Sequence, residues 1–282
     1  MAAPRQPAHS VPARRWLWWV KRIALAAVVA LCAWEGWRAY DQGTAIREAQ
    51  TAGWKLFGLD PIMAILVDWR AAGRKETWTV HCLRVEIPSG TDLAAARPLL
   101  ARLRPAILIA ARCPNPNLDA LYSLPTLTDL TLSSCTGLQN IDGLLDLPSL
   151  REITLEECNG LQSLGDLRRL PSLQGINLRG CTGLKNVDNL RAPHTFSWLS
   201  FNGCTELQNL DGLRGLPTLQ LIILPNCTGL RNVDGIRGLP GVHLLYLDGC
   251  TSLSASALRE LRAALPKADI TFPDGTHNPP PK

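Results

Sequence analysis

The chain is predicted to be an α/β solenoid with a parallel β-sheet on one face and short helices or turns on the other, carried behind an N-terminal transmembrane helix. Three observations predict this: a cysteine recurs every 23 residues, an alternating apolar pattern precedes each of those cysteines, and a lone apolar run near the start is flanked by basic and aromatic residues. With 282 residues the chain can hold one large domain or two modest ones. Its 46% hydrophobic and 19% charged residues exclude a generally disordered protein.

The repeat decides the fold. Cys135, Cys158, Cys181, Cys204, Cys227 and Cys250 follow one another at intervals of 23 residues. Around them the chain reads LPTLTDLTLSSCTGLQNIDGLLD, LPSLREITLEECNGLQSLGDLRR, LPSLQGINLRGCTGLKNVDNLRA, PHTFSWLSFNGCTELQNLDGLRG, LPTLQLIILPNCTGLRNVDGIRG and LPGVHLLYLDGCTSLSASALREL. Leu127, Leu130 and Leu132 follow L-x-x-L-x-L, and Leu130 with Leu132 alternate as a half-buried strand requires. Gly137 is expected to permit a tight exit turn, Asp142-Gly143 a turn or short helix start, and Pro125 the return. One such coil cannot bury its own leucines, whereas stacked coils share a continuous core.

These residues resemble the leucine-rich repeat family over 124–261, in the form that carries cysteine where asparagine is common. The repeats are similar to those of plant immune receptors and F-box proteins, and the D-G-L segment is similar to that of bacterial internalins. The resemblance implies a right-handed solenoid whose strands line a concave, partner-binding face. It does not imply one particular activity.

The flanks read as caps. Residues 104–123 form a degenerate first repeat, with Ile107 and Ile109 in its strand and Cys113 as its shifted cysteine, so the repeats span 104–261. Residues 41–103 form an N-terminal cap, with a helix over 60–72 and a strand over 78–87. Helical spacing over 255–265 and a last strand over 268–272 make a C-terminal cap at 262–273, and Pro-rich 274–282 is expected to be a disordered tail.

Residues 1–15 form a basic tail and 16–38 a membrane anchor. Arg5, Arg14, Arg15, Lys21 and Arg22 all precede the uncharged run 23–34, and without them the formal charge of +5 falls close to neutral. That distribution leaves no basic footprint for nucleic acid. Trp16 to Trp37 as a helix spans roughly 31 Å, close to a hydrocarbon core, with aromatic residues at both interfaces. The charge bias keeps the N-terminus cytoplasmic and places the repeats outside the cytoplasmic membrane. A signal sequence cleaved to give a secreted protein is the alternative, although Leu31 is a poor residue for either a cleavage site or a lipoprotein box.

The candidate site is the set of strand positions between the buried leucines. In the first two coils these are polar and acidic: Asp129, Thr131, Glu152, Thr154, Glu156 and Glu157. In the last three they include Trp198, Leu221, Ile223, Leu244 and Tyr246, beside Arg179. An exposed apolar cluster with Trp and Tyr anchors is the usual mark of an interaction surface. The expected function is a membrane-tethered protein- or peptide-recognition scaffold; the alternative is a structural, self-associating envelope protein, which leaves a homo-oligomer open.

The remaining polar series read as structural. The six repeat cysteines stack about 4.8 Å apart and point one way, which suits buried thiols better than disulfides. Asp142, Asp188, Asp211 and Asp234 are weighed as a calcium ladder and read instead as turn starters; Asn140, Asn186, Asn209 and Asn232 form a neighbouring ladder. Arg168, Arg191, Arg214 and Arg237 form a solvated convex stripe. No C-x-x-C, H-E-x-x-H, G-x-S-x-G or G-x-x-x-x-G-K-[ST] occurs, and His81 and Cys82 point to opposite faces of a strand, so no metal, cofactor or catalytic site is expected.

Overall fold

The computed structural model describes residues 37, 40–57 and 83–278. Eleven strands among them form one sheet in strict chain order. These are β1 (Lys55–Phe57), β2 (Arg84–Glu86), β3 (Ile107–Ala111), β4 (Asp129–Ser133), β5 (Glu152–Glu156), β6 (Gly175–Arg179), β7 (Trp198–Ser200), β8 (Leu221–Ile223), β9 (Leu244–Tyr246), β10 (Asp269–Thr271) and β11 (His277–Asn278). Strands β2 to β10 run parallel, and each end of the stack is closed by one antiparallel strand. A parallel pair needs a crossover, and here the crossover is one turn of the solenoid.

Each coil is built from the same choices. Leu130, Leu132, Cys135, Leu138, Ile141, Leu144, Leu147 and Leu150 are all buried, and their equivalents in later coils extend the core without a break. The exit turn places the residue before each cysteine in the left-handed region: Arg112, Ser134, Glu157, Gly180, Gly203, Asn226 and Gly249 all have positive φ. Each of these donates its N–H to the next coil, as Ser134 does to Glu156 O at 2.7 Å and Gly203 to Pro225 O at 2.9 Å. Inter-coil hydrogen bonding therefore holds a conformation that costs a non-glycine residue roughly 1–2 kcal/mol. This corrects the expectation for Gly137. At Gly160, Gly183 and Gly229 the glycine two residues after the cysteine stacks closely, since a Cβ on Gly160 would run into Thr136 O of the coil before, whereas Glu206 and Ser252 take the same place in other coils.

The cysteines stack as thiols, all seven of the described ones free and buried. From Cys158 onward each Sγ donates to a carbonyl in or just after the strand of the preceding coil: Cys181 to Leu155 O at 3.4 Å, Cys204 to Leu178 O at 3.3 Å, Cys227 to Phe201 O at 3.1 Å and Cys250 to Leu224 O at 3.0 Å. Burial pushes the Cys204 thiol up to about 12. These sulfurs are structural, and they lie in the core rather than on the candidate face.

The asparagines, not the aspartates, make the turn bonds. Asn140, Asn186, Asn209 and Asn232 each accept the N–H two residues on, with Asn232 Oδ1 to Asp234 N the shortest at 2.7 Å. Where Gly165 replaces the aspartate, Ser163 Oγ accepts instead. Asp211 and Asp234 turn to Arg214 and Arg237, at 2.7 and 2.9 Å. Arg168 holds the exposed Asp166 carboxyl down at about 2, and Arg191 donates to Leu190 O. Three members of the arginine series are thus ion-paired rather than merely solvated.

The two ends differ from the repeats. A helical segment over 40–51, α1, buries Ala45, Ile46 and Ala49 against helix α2 (Leu93–Leu103). Arg102 of α2 ties the pair together through Asp41 at 2.9 Å and through Glu48. Asp92 caps α2, accepting from Ala94 N at 2.8 Å. The β2–α2–β3 unit is itself a full coil, with Arg84 in register with Ile107, so the stack begins one coil before the degenerate repeat at 104. The helix expected over 60–72 lies outside the described residues, as does the first part of the strand expected over 78–87. At the far end helix α3 (Ala255–Ala264) is capped by Ser254 and pinned by Arg237 to Glu260 at 2.7 Å. His277 and Asn278, expected in a disordered tail, pair with β10 as β11.

No helix among the described residues is long and apolar enough to cross a membrane. The expected anchor over 16–38 lies outside the described residues apart from Trp37.

Candidate functional site

The side of the sheet that faces away from the core carries residues in rows, because parallel strands in register place equivalent positions side by side. One row runs Arg84, Ile107, Asp129, Glu152, Gly175, Trp198, Leu221, Leu244, Asp269. The next runs Glu86, Ile109, Thr131, Thr154, Asn177, Ser200, Ile223, Tyr246, Thr271. A third, shorter row holds Ala111, Ser133, Glu156 and Arg179, because β7 to β9 end after three residues.

The expected apolar residues come together. Trp198, Leu221 and Leu244 are consecutive in the first row, and Ile223 and Tyr246 are consecutive in the second, so five side chains make one patch across three strands. Leu244 and Tyr246 are its most open members at 38% and 37% exposed, whereas Trp198, Leu221 and Ile223 are half-buried. Both Leu244 and Tyr246 lie at the end of the patch nearer α3.

Trp198 has a neighbour that sequence reasoning missed. Its indole lies over Gly175 of the preceding strand, where any Cβ would fall among the ring atoms. Gly175 is the one residue in that row without a side chain, and its absence lets the ring reach back over β6. The signal was present as a glycine in the middle of a strand, which marks a close approach.

The acidic end borders the patch across that glycine. Glu152 stands next to Asp129 in the first row, and burial followed by the Asp129 charge raises its carboxyl above the usual range. Glu156 accepts from Ser133 Oγ at 3.4 Å, and Glu157, exposed at the exit turn, accepts from Ser134 Oγ at 3.2 Å. Arg179 lies beside Glu156 in register, yet among the described residues it makes no ion pair. Glu156 and Arg179 are therefore neighbours of one another and are offset along the strands from the apolar patch. Ile107 and Ile109, expected only as strand formers, also face outward, while Leu108 and Ala110 fill the core. His81 and Cys82 lie outside the described residues.

One strand per coil, a 23-residue pitch and a buried leucine ladder that ends on a cysteine make this a leucine-rich repeat solenoid. No family model matches the chain, and no curated protein does. Among solved structures it is similar to the leucine-rich repeat domain of the type III effector XopL, at 20% identity over 83% of this chain and 89% of that one, with a TM-score of 0.43. A leucine-rich repeat protein of T. pallidum is 17% identical over 66% of this chain and 89% of that one, with a TM-score of 0.28. An internalin of Listeria monocytogenes is 15% identical over 64% of this chain and 63% of that one, with a TM-score of 0.25.

Proposed function

We propose that the chain is a recognition module whose open sheet face binds a protein or peptide partner, and that residues 16–38 tether it to a membrane with the repeats outside the cytoplasm. One observation carries the binding reading: Trp198, Leu221, Leu244, Ile223 and Tyr246 are contiguous and outward-facing, in rows whose members on β4 to β6 are polar or glycine. Burying apolar area releases about 25 cal/mol per Å², and large aromatic side chains concentrate that energy, so an open patch of this kind favours a partner over water. The tether rests on the apolar run 23–34 with its aromatic flanks and basic N-terminal side.

A photo-crosslinking residue at Tyr246, with a control at Arg214 on the opposite side of the coil, tests the binding reading in the native membrane. A discrete product at Tyr246 that is absent at Arg214 is the expected result. Equal labelling at both positions, or crosslinks only between copies of the chain, moves the weight to a structural, self-associating role.

A further inference from the structure

The electrostatics beside the patch narrow the partner. Asp129, Glu152 and Glu156 sit on two adjacent strands with Glu157 at the exit turn just after them, and among the described residues neither Arg151 nor Arg179 forms an ion pair with any of the four. Among the described residues, the acidic end therefore carries negative charge with no ion-pair partner. Glu152 is also held above its usual carboxyl range by burial and by Asp129, so its charge is costly until a cation reaches it.

The indole of Trp198, displaced over Gly175, closes the gap between this acidic end and the apolar patch. An aromatic surface next to an unpaired carboxylate is the arrangement that accepts a guanidinium, which can stack on the ring and pair with the carboxylate together. A lysine ammonium supplies the charge but not the planar stack.

Resting on the binding reading above, we propose that the partner presents an extended segment in which an arginine sits over Trp198 and Glu152 while an aliphatic or aromatic residue sits over Leu221, Leu244 and Tyr246. The segment crosses the strands. Strands lie about 4.8 Å apart, so two to three strands separate the two subsites by roughly 10–14 Å, and an extended chain covers that in three to four residues. The recognised pattern is an arginine three or four residues from an apolar anchor.

The test is selection of random 12-residue peptides displayed on phage against the full chain in mild detergent. Selected peptides are then measured against wild type, Glu152→Lys and Tyr246→Asp, with thermal unfolding used to check that both surface variants remain folded. The expected peptides carry arginine three or four residues from a large apolar residue, and lose at least tenfold in affinity with either variant. Peptides that lose affinity with Tyr246→Asp but not with Glu152→Lys overturn the arginine rule and leave the binding face standing. Peptides that bind wild type and Tyr246→Asp equally, or no enrichment over Tyr246→Asp, overturn both.

Discussion

The indole of Trp198 occupies the space that a side chain on Gly175 would take, so a residue on β7 reaches across β6 to the acidic end of the sheet. The pair stands 23 residues apart in the chain and side by side in the sheet. Gly175→Ala should displace the ring, costing about 1 kcal/mol of stability by overpacking and weakening peptide binding more than that loss explains. Gly215→Ala is the control, because a Cβ there meets no atom within 4 Å. Equal binding by the two variants, measured on peptides selected against wild type, would argue against a role for the displaced indole.

The left-handed exit turn predicts opposite signs at two equivalent positions. Arg112→Gly removes the strain of a non-glycine residue at φ +54° and should raise stability by about 1 kcal/mol. Gly203→Ala introduces that strain at φ +73°, where a Cβ would meet its neighbours only at ordinary distances of 3.8 Å and beyond, and should lower stability by about 1–2 kcal/mol. Urea unfolding of the two variants would show both shifts, and a gain at Gly203 would contradict the hydrogen-bonded turn described above.

Turn bonding by asparagine ranks two neighbouring substitutions. Asn232→Ala leaves the Asp234 N–H without its 2.7 Å acceptor and should cost about 1 kcal/mol. Asp234→Ala loses only a partly exposed ion pair to Arg237, worth about 0–1 kcal/mol and screened by salt. Thermal unfolding at low and high salt separates the two, and a larger loss from Asp234→Ala would return the turn role to the aspartate.

Alkaline pH should weaken the stack through the thiols. Cys204 is raised to about 12 in the folded chain, against about 8.5 for an unfolded cysteine. Below the unfolded value both states hold the proton and the thiol gives no pH dependence. Between that value and about 12 the unfolded chain releases the proton first, so stability falls as pH rises. In a Cys32→Ser/Cys82→Ser background the seven remaining thiols should resist a thiol reagent at neutral pH until the chain unfolds. Cys204→Ala should cost about 1–3 kcal/mol through lost packing and the lost bond to Leu178 O, and should flatten the alkaline limb.

Glu152 gives the same sign in the acid range. Glu152 is raised because burial and the adjacent Asp129 oppose its charge, so the folded chain takes up its proton more readily than the unfolded one. Lowering pH through that raised value should therefore favour the folded state, and Glu152→Gln should stabilise the chain at neutral pH by about 0.2–1 kcal/mol, the usual size of a cross-strand charge effect. A destabilised Glu152→Gln variant, measured by thermal unfolding at pH 7, would contradict the like-charge row.

By itself the sequence determined the coil. The 23-residue period, the alternation of Leu130 and Leu132 and the cysteine after each strand left one way to bury the leucines, and the structure places them so. The same alternation named the outward residues, because a strand turns successive side chains to opposite faces. The tertiary structure decided what depends on the neighbouring coil. Residues as different as Arg112, Ser134, Glu157 and Asn226 share one left-handed turn, since each donates its N–H to a carbonyl one coil on. Gly175 is a bare strand position until Trp198 is laid over it, and Ile107 and Ile109 are only strand residues until register turns them outward. A local pattern specifies a strand and its two faces; only stacking, through contacts between residues about one period apart, specifies which backbone must bend and which side chain must be absent.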